Sequence, residues 1–273
     1  MPIDISLSIE EIAVAMGAEG DSQVALGILI KQFGKVSKDE MEGRLYSAIH
    51  ALIAEGRLSS TGDGNVQNSP ELREVARILL KADYTVRYQR RQEKSEYFLA
   101  YHFLGKKVFE HRLKQKVVHQ IKEVTREDVI AGGLDFFGMN NSNSPDFPVY
   151  SLPVDALKSL QPSGKTEAML GYLEMHEIPV EVRTVLVEDI AAAGFRASAL
   201  RIEYDEKNSP YSKLGFLLLH GSKQNWIFLP ENKYGKDHLS LLPGSCENFQ
   251  RLASKLIVFH RGRQGGNKNE PQK

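Results

Sequence analysis

At 273 residues, 41% of them hydrophobic and 26% charged, the chain is long enough to bury a substantial core and has the composition of an ordinary globular protein. A formal net charge of +0 excludes whole-molecule attraction to nucleic acid or acidic lipid, and a single cysteine, Cys246, excludes an internal disulfide framework and a cysteine-based zinc site. The sequence has neither a basic start followed by an apolar run nor a stretch of membrane-spanning length, which predicts a cytoplasmic protein without membrane contact.

Ser8-Ile9-Glu10-Glu11 has the spacing of a capping box, so a helix is predicted from there to about Met16, stopped at Gly17. A second helix is predicted over Ser22 to Phe33. A third opens at another capping box, Ser37-Lys38-Asp39-Glu40, carries Met41, Leu45, Ile49, Leu52 and Ile53 on one side, and ends at Gly56. Three helices followed by Gly56-Arg57-Leu58 resemble a winged helix. Asp39, Glu40 and Glu42 on the third helix would face phosphates, which argues against DNA recognition by it.

Thr61 to Gln67 reads as a loop. Ser69-Pro70-Glu71 then supplies an N-cap with proline at the first helical position, and Leu72, Val75, Ala76, Leu79 and Leu80 share one face of the helix. From Asp83 to Val124 the pattern changes to period two. Tyr84, Val86 and Tyr88 alternate with polar residues. After a turn at Arg91-Gln92-Glu93-Lys94 come Tyr97, Leu99, Tyr101 and Phe103, then Val108 to Leu113 and Val117 to Ile121. Alternation, aromatic enrichment and turn punctuation predict a four-stranded antiparallel meander. A short helix over Arg126 to Ile130 is expected to break at Gly132-Gly133, and Met139 to Pro153 reads as linker.

The order then returns. A helix is predicted over Val180 to Ala193, ended by Gly194, and a strand over Ser198–Tyr204 with Leu200, Ile202 and Tyr204 on one face. Lys207 to Ser212 reads as a loop. Strands follow at Leu214–His220, Asn225–Leu229 and His238–Leu242, with a closing helix from Cys246 to Phe259. Laying Tyr84 on Leu200 gives an internal duplication and a pseudo-twofold structure. The predicted fold is α+β: two pseudo-twofold-related antiparallel β-meanders with flanking helices, preceded by an N-terminal three-helix, winged-helix-like segment. The predicted divisions are 1–68 (helical segment packed on the first repeat), 69–138 (first repeat), 139–165 (linker), 166–260 (second repeat) and 261–273 (disordered tail).

No residue pattern announces catalysis, a metal or a cofactor. Ser159-Leu-Gln-Pro-Ser-Gly-Lys-Thr166 ends like a phosphate loop, but Ser159 stands where the motif needs glycine, and a helix N-cap at Ser163 explains it. His102, His111 and His119 fall on successive strands without zinc-ligand spacing. They read as solvated or partner-facing, with neither Glu110 nor His119 expected on the face of His111. Ser245-Cys246 reads as a helix start, and Trp226 as core. Charge is uneven: residues 84–122 hold ten Lys/Arg against three Glu, and residues 167–205 hold eight Asp/Glu against three Arg. Arg87, Arg90, Arg91, Lys106, Lys107, Arg112, Lys114 and Lys116, interleaved with aromatics, admit single-stranded nucleic acid as an alternative to a protein partner or a solvated face.

Ala48 to Leu58, Ser69-Pro70-Glu71-Leu72, the basic meander, Gly215-Phe216-Leu217-Leu218-Leu219, Trp226-Ile227-Phe228 and Leu239-Ser240-Leu241-Leu242-Pro243 together resemble the EspG family, cytosolic chaperones of type VII (ESX) secretion. The resemblance implies a non-enzymatic, pseudo-twofold α+β protein that binds the apolar tip of a helical secretion substrate and keeps it soluble. It also implies partner contact through the loop joining the second and third strands of the first sheet, here Phe103-Leu104-Gly105-Lys106-Lys107. With Arg87, Arg90 and Arg91, the residues Phe103, Leu104, Lys106 and Lys107 are the candidate partner-binding set. A nucleic-acid-binding regulator containing a winged helix is the alternative.

Overall fold

The computed structural model describes residues 2–62, 65–92, 95–140, 147–161, 164–192, 195–205, 209–233 and 236–258. Glu93-Lys94, Ser163, Gly194, Phe259 and the 261–273 tail lie outside the described residues. In chain order the elements begin with β1 (Asp4–Leu7), α1 (Ile9–Ala18), α2 (Ser22–Phe33), α3 (Lys38–Ala54), β2 (Leu58–Ser60), β3 (Val66–Asn68) and α4 (Pro70–Lys81). The first meander follows as β4 (Tyr84–Gln92), β5 (Ser95–Leu104), β6 (Lys107–Lys114) and β7 (Val118–Val124), closed by α5 (Arg126–Phe137). The second pass runs β8 (Tyr150–Pro153), α6 (Ala156–Ser159), α7 (Thr166–Met175), α8 (Val180–Ala192), β9 (Phe195–Tyr204), β10 (Pro210–His220), β11 (Asn225–Lys233), β12 (Lys236–Pro243) and α9 (Cys246–Ile257).

The helix starts follow from their caps. At α1 the Glu11 amide donates to Ser8 Oγ and the Ser8 amide donates to Glu11 Oε2, closing the reciprocal box. At α3 only half forms: the Glu40 amide donates to Ser37 Oγ, while the Glu40 carboxylate accepts instead from Arg44. β2 and β3 pair as a small wing beside α1–α3.

A ten-stranded antiparallel sheet organises the rest, in the order β1-β7-β6-β5-β4-β9-β10-β11-β12-β8. Read from either edge, the order is edge strand, last meander strand, and so inward to the seam. There β4 pairs with β9 from Tyr84↔Glu203 to Gln92↔Phe195. The two meanders are thus related by a pseudo-twofold axis through the seam. Both edge strands of the sheet depart from the sequence expectation. Tyr150–Pro153, in the stretch read as linker, is an edge strand paired to β12, with Leu152 fully buried. Asp4–Leu7 is its counterpart, paired to β7.

α5 and α9 cover one face of the sheet across the seam. Beneath them lie Tyr84, Val86, Tyr88, Leu99, Tyr101, Phe103, Ala197, Ala199, Phe216 and Ile227, with Phe249 and Leu252 from α9. On the opposite face, α1–α4 bury Ile5, Leu7, Phe109 and Ile121, and α6–α8 bury Leu152, Leu219, Trp226, Phe228, Leu239 and Leu241.

The expected break at Gly132-Gly133 does not occur, because α5 runs through both. They are small for a packing reason: a Cβ on Gly133 would lie 2.7 Å from Tyr88 and 2.8 Å from Phe249, and one on Gly132 would lie 1.9 Å from the Tyr101 hydroxyl. Gly133→Ala is therefore expected to destabilise by about 1–3 kcal/mol although alanine is the better helix former. Gly43→Ala in α3, where an added Cβ meets nothing within 4 Å, is expected to stabilise by roughly 0.5–1 kcal/mol. Urea melts of the two variants check this opposition of sign.

Candidate protein-docking surface

The outer-helix layers stop short of the seam. On their side of the sheet α4 reaches β5 and α8 reaches β10, leaving the strip over β4 and β9 between them.

The side chains on this strip follow from strand parity. Thr85, Arg87, Gln89 and Arg91 of β4 point the same way as Phe98 and His102 of β5 and Leu200, Ile202 and Tyr204 of β9. Phe98, Leu200 and Ile202 are half-buried and belong to none of the three core clusters, whereas Leu217 packs against the α6–α8 layer. Leu200, Ile202 and Tyr204 share one face of their strand, as expected, and it is not the core face. The core face carries Ala197, Ala199 and Arg201, and the large apolar residues lie on the open side. Arg87 stacks over Phe98, 5.3 Å from the ring centroid, and its Nε is buried without a hydrogen-bond partner. Among the described residues the strip sets the apolar side chains of Phe98, Leu200 and Ile202 beside Arg87, with Arg91 at its exposed end.

The candidate partner residues separate. Arg87 and Arg91 share the open face, with Arg91 exposed at its end. Arg90 points the other way. Its guanidinium lies over Tyr97 and Phe136 and donates to the Phe136 carbonyl at 2.9 Å. Phe103 is a correction: it is fully buried and stacked on Tyr84 at 4.4 Å, so it offers no surface to a partner. Leu104 is half-buried against the α1–α4 layer, Lys106 is exposed at the β5–β6 turn, and Lys107 pairs with Glu74 of α4 at 2.9 Å. Arg112 pairs with Glu110 at 2.6 Å on the α5/α9 side. Among the described residues, the basic side chains of the first meander are thus divided between two faces and both ends of the sheet, and form no continuous track for a phosphate backbone.

Other candidates resolve into structure. Trp226 is fully buried, its Nε1 donating to Asp189 at 2.9 Å. Ser245 caps α9, accepting from the Asn248 amide at 3.1 Å. Ser159 closes α6 and Lys165 is the N-cap residue of α7, so a helix rather than a strand feeds the phosphate-loop-like segment. His119 does share a face with His111: Leu113 pairs with His119 and His111 with Ile121, which puts both imidazoles on one side. Glu110 points away, as expected from its adjacency to His111. Among the described residues no group of three or more His, Cys, Asp or Glu could hold a metal ion. A groove of about 470 Å³ between α1, α2 and α3 is lined by Ala13, Ala25, Leu26, Leu29, Leu45 and Ile49 and by no ionisable side chain. Among the described residues no helix is long and apolar enough to cross a membrane.

Residues 4–239 match the family model described as "Uncharacterised protein YfjC". The chain belongs to the YfjC family. Among solved structures, this YfjC-family chain is similar to the type VII secretion system chaperone EspG5 of Mycobacterium tuberculosis, determined in complex with a PE25–PPE41 dimer. The TM-score is 0.67 at 12% sequence identity, covering 93% of this chain and 96% of that one. At that identity the likeness shows a shared fold, and it agrees with the EspG resemblance in the sequence. No curated protein matches the chain.

Proposed function

We propose that this YfjC-family protein is a non-enzymatic chaperone-like binding protein whose open strip receives a helical segment of a protein partner. The observation that carries the reading is the half-buried apolar surface of Phe98 on β5 and Leu200 and Ile202 on β9, outside all three core clusters, in a fold shared with a chaperone that was determined with the PE25–PPE41 dimer. An apolar helix tip is prone to aggregate until something covers it, and a half-buried sheet face between two helical walls is complementary to one. Phe98, Leu200 and Ile202 would supply apolar contact. Arg87 would pair with a carboxylate, and Arg91 and Lys106 would border the two ends. A helical secretion substrate is the class of partner that best fits.

The test is site-specific photocrosslinking in the native cell from position 200, with position 46 on α3 as the control. A helical protein captured from 200 and not from 46, and insoluble when expressed without this chain, supports the reading. Capture of nucleic acid alone, or equal capture from both positions, overturns it. With the captured protein purified, Phe98→Ala together with Leu200→Ser is expected to weaken binding by roughly 100-fold, as for central apolar anchors. Circular dichroism confirms that the double variant remains folded.

A further inference from the structure

Three imidazoles stand side by side on the outer-helix face, one on each of β5, β6 and β7. His102 Nε2 is 3.3 Å from His111 Nδ1, and His111 Nε2 is 2.8 Å from His119 Nδ1. At the seam end, His102 Nδ1 lies 2.9 Å from Thr85 Oγ1, which is itself 3.4 Å from the Tyr204 hydroxyl of β9. The row crosses four strands. Phe98 meets His111 edge-on at 5.8 Å, so the row adjoins the strip.

A neutral imidazole has one N–H and one lone pair, so the hydrogen bonds of a neutral row must all run in one direction and the three rings must share one tautomer. One extra proton fits without loss. If His119 carries it, it donates to His111, which donates to His102, which donates to Thr85 Oγ1. A second proton does not fit. Cations at both ends would require neutral His111 to accept at both nitrogens, and adjacent cations would set N–H against N–H. At least one bond then breaks, with two charges on rings whose neighbours are 5.0–5.5 Å away.

We propose that the Thr85–His102–His111–His119 row is an acid-operated latch, holding β4 to β7 together on this face through the first proton and releasing them on the second. No carboxylate among the described residues is hydrogen-bonded to the row to absorb the charge. The cation acting on it is Arg87 of β4, which disfavours protonation of His111. Lys107 of β6 and Glu123 of β7 lie farther along the same face, and Glu74 and Arg77 of α4 lie beside them, Glu74 bound to Lys107.

Burial pushes the His102 pKa down to about 4. Burial, the flanking imidazoles and Arg87 push His111 well below its ordinary value, and burial lowers His119. Folded values below the unfolded one mean that the unfolded chain binds more protons. The row's contribution to stability is therefore complete above about pH 6.5 and is lost as pH falls toward 4.

Long-range ¹H–¹⁵N spectra of the native protein between pH 8 and 4 test the latch. The expected result is three rings in one tautomer at pH 7.5, a first proton taken up with the β5–β7 amide signals unmoved, and loss of those signals with the second. Mixed tautomers overturn the proposal, as do three independent titrations near pH 6.5 with the amides unmoved at pH 4. Independently, the fall in urea midpoint between pH 7 and 5 is expected to shrink by roughly half in His111→Phe. A fall equal to that of the native protein overturns the latch. If this variant does not fold, the native spectra decide alone.

Discussion

Arg201→Ala is expected to cost about 3–5 kcal/mol and to lower the melting temperature by roughly 10 °C, because one guanidinium closes the seam and the end of α9 together. Arg201 is 4% exposed. It lies 3.8 Å over the Tyr84 ring, and its Nε donates to Glu203 at 2.9 Å. Its Nη1 donates to the carbonyls of Leu256 at 3.2 Å and Val258 at 2.6 Å, while the Tyr84 hydroxyl donates to Ile257 at 3.1 Å. Three successive carbonyls at the C-terminal end of α9, which the helix itself leaves without partners, are thus satisfied by residues from both seam strands.

Truncation strips two of those carbonyls of a charged donor and removes the ring contact. Glu203 is less affected. Burial raises its pKa, but Lys213, Arg201 and Tyr211 together hold it below the ordinary range, and Lys213 at 2.9 Å remains. Arg201→Lys is expected to recover less than half of the loss, since an ammonium cannot stack on Tyr84 and reach both carbonyls. The Arg201→Met variant, which keeps most of the volume, should lie between the two. Urea midpoints of the three variants check the order. Equal stability of Arg201→Lys and the native protein would remove the fork geometry from the argument.

Element order was legible in the sequence because the meanders alternate cleanly and their helices are capped by Ser8, Ser37, Ser69 and Ser245. Side-chain size does not by itself tell which face of a strand is the core. In β9 the core side is Ala197, Ala199 and Arg201, small and charged because it lies beneath the rings of Tyr84, Tyr88 and Phe249. The open side is Leu200, Ile202 and Tyr204. Laying Tyr84 on Leu200 therefore matches opposite faces of the sheet, and the two repeats correspond at an odd rather than an even offset. The inverted pattern is itself the signal for the docking strip: an apolar strand face with no helix assigned to cover it. Gly132-Gly133 misled for a related reason. Glycines inside a helix look like a break unless the opposing Tyr88 and Tyr101 rings are known. The row of imidazoles was hidden by register, since only the pairing of β6 with β7 decides that His119 and His111 face one way.

Asp189→Ala is expected to cost about 3–4 kcal/mol, and nothing in the sequence around it sets it apart from a surface carboxylate on α8. It is fully buried. Its Oδ1 accepts from the Ser222 hydroxyl at 3.2 Å and the Lys223 amide at 2.9 Å. Its Oδ2 accepts from the Gln224 amide at 3.3 Å and Trp226 Nε1 at 2.9 Å. Four donors converge on one carboxylate, so the β10–β11 turn is tied to the helix that covers it. Gly221 permits the approach, since a Cβ there would sit 2.2 Å from the Asp189 Cγ. Removing the carboxylate leaves the indole N–H and two turn amides without acceptors, of which only the turn amides can find water by shifting. Asp189→Asn keeps the shape but turns an NH2 group toward N–H donors, and is expected to cost about 2 kcal/mol. Trp226, the one tryptophan in the chain, reports directly. In Asp189→Ala its emission should move to longer wavelength in the native state, before any unfolding, and the urea midpoint should fall. Unchanged emission with an unchanged midpoint would mean that the carboxylate does not hold this turn.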